Sequence, residues 1–265
     1  MKKYGFIGAG NMGYAMLKGL IKDGKKDDVI FSDASKERIQ WIHNQLEIES
    51  SNSNKDLVTR AKYIVLAIKP QYYASVLEEI KEVITTNHIV ISIAPGITID
   101  SIKAQLSNDI KIVRAMPNTP ALIGEGMSAV SFSKDLFSEE EKEEIIRFFS
   151  SFGVMEEIEE KLMNAVVPIS GSSPAYVYMM IEAMADAGVL AGLSRKMAYT
   201  LAAQSVLGSA KMVLETGIHP GELKDAVCSP GGTTIEAVAI LEKTGFRSSI
   251  IEAMNACFEK TKRMN

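Results

Sequence analysis

Two stretches carry residue types and spacings that could do chemistry. Near the start, "YGFIGAGNMG" sets Gly8, Gly10 and Gly13 in the spacing G-x-G-x-x-G. After a strand and at the opening of a helix, the first glycine permits a tight turn and the second lets backbone approach a pyrophosphate. The third packs helix on strand. The helix start then offers unpaired N–H groups to phosphates. The second stretch, "DAVCSPGGTTIEAVAIL" from Asp225 to Leu241, places glycines and threonines where a loop gives way to an amphipathic run. Thr233 and Glu236 form T-x-x-E, a capping box, and Ile235, Val238 and Leu241 supply a stripe for burial. A helix start with spare N–H groups also binds a carboxylate. Spacing alone leaves both the cap and the anion site open.

Acid–base groups are scarce elsewhere. His43 falls on a helix surface, His88 precedes a strand, and His219 in "HPG" reads as a helix start. Lys69, in "AIKP", stands near the glycine loop or in a solvent-exposed turn. Oxidation of a hydroxy acid wants a base for the alcohol proton. Its absence points to a substrate needing little proton chemistry, such as an iminium primed for hydride. Cys228 and Cys257 have no metal-ligand spacing, so no metal is expected, and a reducing cytoplasm suits them.

The elements that must position these groups fall into two halves. Strands are expected at 4–7, 29–32, 63–68, 89–93, 110–115, 128–132 and 154–158, with helical patterns such as Ile39/Ile42/Leu46 between them. Short apolar strands alternating with helices read as a parallel sheet covered on both faces. From about Lys161 helices alone follow, at 174–190, 195–215, 221–227, 234–242 and 246–260. The expected organisation is α/β: a Rossmann-type dinucleotide-binding domain over 1–159, then an all-helical dimerisation and substrate domain over 160–265. Asp33, about 20 residues beyond Gly13, is placed to accept from a ribose 2′-OH. Ala34, Ser35, Lys36 and Arg38 follow at once and could hold a 2′-phosphate, so the two cofactor forms stay open. "AIKP", "SIAPG" and "RAMPNTP" end successive strands on the same edge, where open α/β sheets bind ligands.

The 265 residues are 46% hydrophobic and 23% charged with a net charge of −4, a globular composition without a basic stripe. Nucleic acid and anionic membrane surfaces are therefore not expected partners. "MKKYGFIGAGNMG" lacks the apolar run and cleavage site of a signal peptide. Glu182 and Asp186 interrupt the apolar run 175–192, against a membrane span. Segment 198–210 carries almost no charge, and Met179, Met180 and Met184 crowd one helix. Helices apolar on most sides need burial on most sides, so a subunit interface is expected.

"FIGAGNMG", "AIKP", "MPNTP", "SGSSPAY" and "HPGELKDAVCSPGGTTIEAVAILEKTGFR" resemble pyrroline-5-carboxylate reductases, in order and over essentially the whole chain. The last block is highly specific to that family, whereas many dehydrogenases share the glycine loop. The resemblance implies reduction of L-1-pyrroline-5-carboxylate to L-proline with NADPH or NADH, the final step of proline biosynthesis. It also implies a helical domain that dimerises, often within a decamer of five dimers. By position, Gly8, Ala9, Gly10, Asn11, Met12, Ala34, Asn54, Ala67, Ile68, Lys69 and Pro70 fall on cofactor contacts, with Ala94–Gly96 beside them. Glu160, Val227, Ser229, Gly232, Thr233 and Thr234 fall on the substrate site. Thr234 matches the threonine regarded as the proton or hydrogen-bond donor to the imine nitrogen. Ser173 replaces the second glycine of the usual S-G-S-G-P-A-Y, and Ala226 stands where some relatives have Asn. A 3-hydroxyacid dehydrogenase of similar build would want a lysine on the helix at 174–190, which has none. A non-catalytic cofactor sensor is the reading from another class.

Overall fold

Runs of Val, Ile, Leu and Phe, buried on both faces, build the sheet that the computed structural model describes within residues 1–263. Positions 264 and 265, the end of the expected second domain, lie outside the described residues. The first part runs β1 (Lys2–Ile7), α1 (Asn11–Lys22), β2 (Val29–Ser32), α2 (Lys36–Leu46), β3 (Glu49–Ser50), α3 (Asn54–Arg60) and β4 (Ala61–Leu66). It continues through α4 (Tyr73–Ile80), β5 (Ile89–Ser92), α5 (Ile99–Gln105), β6 (Lys111–Met116), β7 (Gly126–Phe132), α6 (Glu139–Ser150), β8 (Gly153–Glu157) and α7 (Met163–Val166). The strands form one sheet in the order β3-β2-β1-β4-β5-β6-β7-β8. One face packs on Phe6, Phe31, Phe148 and Phe152, the other on Ile64, Leu66, Leu77 and Ile102.

One pairing departs from the expected parallel sheet: β7 runs antiparallel to β6. The link 117–125 is too short for a crossover, which takes roughly a dozen residues or more. It turns back through a tight 3-10 segment at Thr119–Ile123. The short β3 was not expected either, since two residues carry no periodicity.

Helices follow: α8 (Ser173–Leu190), α9 (Arg195–Thr216), α10 (Pro220–Ala226), α11 (Thr233–Lys243) and α12 (Phe246–Lys262). The described residues divide into two compact units, Met1–Ser172 joined by 257–263, and Ser173–Ala256. In the second unit α8 and α9 pack through small residues. A Cβ on Gly188 would lie 3.2 Å from that of Ala198, and Ala185 and Ala202 are buried. Few large side chains of this unit are covered: Met179, Leu190, Leu201 and Leu214 are 69%, 91%, 55% and 83% exposed.

The amino ends of the strands hold a buried acid. Glu144 accepts from the Tyr4 hydroxyl, from Lys3 at 2.8 Å and from Arg147 at 3.1 Å. Burial pushes the Glu144 carboxyl up, but these donors outweigh it and hold its pKa below the ordinary carboxylate value. A group depressed in the folded state contributes stability above its unfolded pKa and loses it as pH falls through the folded value. Urea midpoints of the native chain should therefore fall as pH drops below about 4.5. Glu144→Gln should be less stable at neutral pH and flatter across that range. Parallel curves for the two proteins would contradict this account.

Candidate active site

The glycine loop links β1 to α1 and its geometry excludes side chains. Gly8 has φ +93°, and a Cβ there would lie 2.6 Å from the Ala67 carbonyl oxygen. A Cβ on Gly13 would lie 2.6 Å from the Gly8 carbonyl oxygen, so helix and strand close on the loop only with hydrogen at both positions. Gly10 is different: a Cβ there would meet nothing within 4 Å. It would project into the open space above the helix start. Gly10 is also the N-cap of α1 and no side chain caps that helix, which leaves its first N–H groups to an anion.

Side chains from β2 and α2 brace this loop. Asp33 accepts from the Ala9 N–H at 2.8 Å through one carboxylate oxygen and from the Ser35 N–H at 2.9 Å through the other. Arg38 donates to the Ala9 carbonyl at 2.6 Å and the Gly10 carbonyl at 3.2 Å, and its guanidinium lies 4.3 Å from the Trp41 ring centre. Ser35 caps α2 by accepting from the Arg38 N–H. Ala34 and Lys36 remain exposed beside the loop. Asn54 opens α3, accepting from Ser32 at 2.7 Å and donating to Glu79 at 2.8 Å. The Ala67 N–H donates to the Ile7 carbonyl, and Lys69 caps the 3-10 turn begun by Pro70. Thus Gly8–Met12, Ala34, Asn54 and Ala67–Pro70 share the carboxyl ends of the neighbouring strands β1, β2 and β4. Gly96, after β5, turns with φ +78° on the same edge.

Further along that edge lies a residue that sequence reasoning passed over. Arg114 on β6 is 3% exposed and donates through Nη1 to Oε1 of Glu160 at 3.0 Å. The Ile99 N–H donates to the same oxygen at 2.8 Å. Among the described residues Arg114 Nε and Nη2 are buried without a partner. Its register neighbour on β5 is Ser92, whose hydroxyl lies 3.0 Å from the Tyr73 hydroxyl. Tyr73 donates to the Leu66 carbonyl, and burial pushes its pKa up to about 12, so it stays neutral. The only sequence signal was a lone arginine within the apolar strand "KIVRAM". Glu160 also lines an open groove of about 930 Å³ with Ile99, Asp100, Lys103 and Asp135.

The second unit presents the glycine–threonine turn. His219 caps α10, accepting the Gly221 N–H at 3.1 Å, which accounts for that histidine structurally. After Val227 the chain folds over Ser229-Pro230-Gly231-Gly232, with the Gly232 N–H donating to the Ser229 carbonyl at 3.0 Å and Gly231 at φ +66°. Pro followed by a left-handed Gly is type II turn chemistry. A Cβ on Gly232 would meet the Ser229 hydroxyl at 2.6 Å. The expected capping box is not formed. The turn closes on Gly232, which takes the N-cap position with no side-chain bond, so α11 starts at Thr233. Among the described residues the Thr233 and Thr234 hydroxyls have no partner, and both side chains are exposed, as are Val227 and Ser229. The stripe is uncovered too: Ile235 and Leu241 are 39% and 46% exposed, and α11 buries no residue. Among the described residues no cluster of three or more His, Cys, Asp or Glu could hold a metal.

Comparison with known proteins identifies the family. A pyrroline-5-carboxylate reductase of Escherichia coli is 48% identical over 266 residues, spanning 100% of this chain and 98% of the relative. The chain belongs to the pyrroline-5-carboxylate reductase family. Residues 160–264 match the family model described as pyrroline-5-carboxylate reductase dimerisation. Residues 3–96 match the one described as NADP oxidoreductase, coenzyme F420-dependent. The Coxiella burnetii member of the family superposes with a TM-score of 0.91 at 30% identity, over 100% of this chain and 98% of that one. The Plasmodium falciparum pyrroline carboxylate reductase, solved with NADP bound, does so at 0.89 and 36%, over 99% and 98%. Gly8–Met12 and Ala67–Pro70 stand on the Rossmann unit of this family fold, and Ser229–Thr234 opens a helix of its dimerisation segment.

Proposed function

We propose that this chain reduces L-1-pyrroline-5-carboxylate to L-proline with NADP(H), and also with NAD(H), as the last step of proline biosynthesis. The observation that carries this reading is the uncapped start of α11, with two unpartnered hydroxyls in the family's most specific sequence block. The Gly8–Met12 loop and α1 would hold the pyrophosphate, with Ala34 and Asn54 toward the ribose and Ala67–Pro70 toward the nicotinamide. Bound cofactor supplies the hydride that adds to the C=N carbon. The substrate carboxylate takes the Thr233 and Thr234 N–H groups, because the Gly232 N–H is already given to Ser229. Thr234 bonds the ring nitrogen and orients the ring, with Val227 and Ser229 beside it, and Glu160 is a further substrate residue. Oxidation of NADPH that depends on added pyrroline-5-carboxylate tests the assignment, and its absence in folded protein overturns it.

We also place the enzyme in the cytoplasm as a homodimer through α8, α9 and α11, within a decamer of five dimers. The bare apolar side chains of those helices support the dimer. Among the described residues no helix is long and apolar enough to cross a membrane.

The bracing of the loop bears on cofactor choice. Each oxygen of Asp33 already accepts a backbone N–H of the loop, so we assign the residue to shaping the loop rather than to reading the ribose. Hydrogen bonds to a charged group are worth roughly 1.5–3 kcal/mol, so Asp33→Ser should raise KM for NADPH and NADH alike by about tenfold or more. The NADPH/NADH ratio of kcat/KM should stay as it is. A shifted ratio would return Asp33 to the ribose.

A further inference from the structure

We propose that Arg114 is a positioning residue of the reduction. It locks one oxygen of Glu160 inside the sheet edge and leaves the other free to face the substrate. The inference rests on the reading that Glu160 is a substrate residue.

Three observations carry it. First, both donors to Glu160, Arg114 Nη1 and the Ile99 N–H, land on the same oxygen, Oε1. Among the described residues Oε2 has no partner, and it is not a buried unpaired atom, so it stays open to a ligand. A carboxylate anchored this way presents one anionic oxygen in a set direction. Second, Arg114 is a poor device for stability alone. It is 3% exposed in a strand of apolar neighbours, and among the described residues two of its buried donors have nothing to bond. An apolar side chain of similar volume commonly serves a fold as well or better. Third, its register neighbour Ser92 is the last residue of β5, which puts the guanidinium at the ligand-binding end of the sheet. The partner suited to an oriented carboxylate oxygen there is the positive charge of a protonated cyclic imine. Arg114 touches neither substrate nor cofactor and acts through Glu160.

The test is a double-mutant cycle in the full-length enzyme, reading KM for pyrroline-5-carboxylate, kcat and the Kd of NADPH by its fluorescence. Arg114→Met should raise KM about tenfold or more while leaving the NADPH Kd unchanged, since one charged hydrogen bond is lost. Arg114→Lys, which keeps a donor for Oε1, should recover part of that loss. Glu160→Gln should raise KM similarly, and the double variant Arg114→Met/Glu160→Gln should be no worse than the poorer single variant. If Arg114→Met does not fold, Arg114→Lys with and without Glu160→Gln completes the cycle. Wild-type KM in folded Arg114 variants beside an impaired Glu160→Gln, or additive losses, would overturn the proposal alone. An unchanged KM in Glu160→Gln would remove Glu160 from the substrate site and the proposal with it.

Discussion

Thr234→Ala is expected to fold normally and to lose activity, with kcat/KM for pyrroline-5-carboxylate down by about tenfold to a hundredfold. The magnitude follows from what an aliphatic hydroxyl can do. It is too weak an acid near neutral pH for the proton transfer that histidine or a carboxyl performs. What it offers is one hydrogen bond to the ring nitrogen, roughly 0.5–1.5 kcal/mol if neutral and roughly 1.5–3 if the nitrogen is charged. Stability should hold because Gly232 is the N-cap of α11 and neither threonine side chain supports the helix. For the same reason Thr233→Ala should leave the thermal midpoint where it is, whereas a true capping threonine would cost about 1 kcal/mol. Wild-type kcat/KM in folded Thr234→Ala would reduce this turn to a structural helix start.

The second large effect concerns assembly. Ala203, on α9, is exposed in the single chain, in contrast to its buried neighbour Ala202. A glutamate at 203 therefore costs nothing to one folded subunit, but in the proposed dimer it is an unpaired buried charge. Such burial costs several kcal/mol per ion, and a tenfold change in affinity is about 1.4 kcal/mol. Ala203→Glu should thus weaken the dimer about a hundredfold or more, with the helical circular dichroism of each subunit retained. Sedimentation at micromolar concentration should show a lighter species with little activity. A folded variant of unchanged mass would remove α9 from the interface.

Local signals served the reading well where the physics is local. The glycine loop was legible because each glycine answers a contact within a few residues or a backbone conformation closed to other side chains, as at Gly8. His219 was legible as a helix start because a side chain reaching its own helix start needs no tertiary partner. The T-x-x-E at Thr233 misled for an equally local reason. The neighbouring Ser-Pro-Gly-Gly turn closes one residue earlier and takes the cap position for Gly232. Asp33 was legible as important, but its partner was not, because the ribose and the loop backbone offer the same kind of donor. The direction of β7 left no mark in its own residues, since it depends on how far the preceding link can reach.

The amino-acid sequence by itself determined the two-part organisation, the dinucleotide loop and the family, because period, glycine placement and motif order are written along the chain. It also marked 198–210 as almost uncharged, from which a subunit interface is expected. Tertiary structure alone decided which atoms are already used. Arg114 and Glu160 lie 46 positions apart, and only the stacking of β5 on β6 brings the guanidinium and the Ile99 N–H onto one carboxylate oxygen. An N–H given within the fold is not available to a ligand, and an oxygen that already accepts has its orientation set by that bond. That accounting cannot be done until distant strands are side by side.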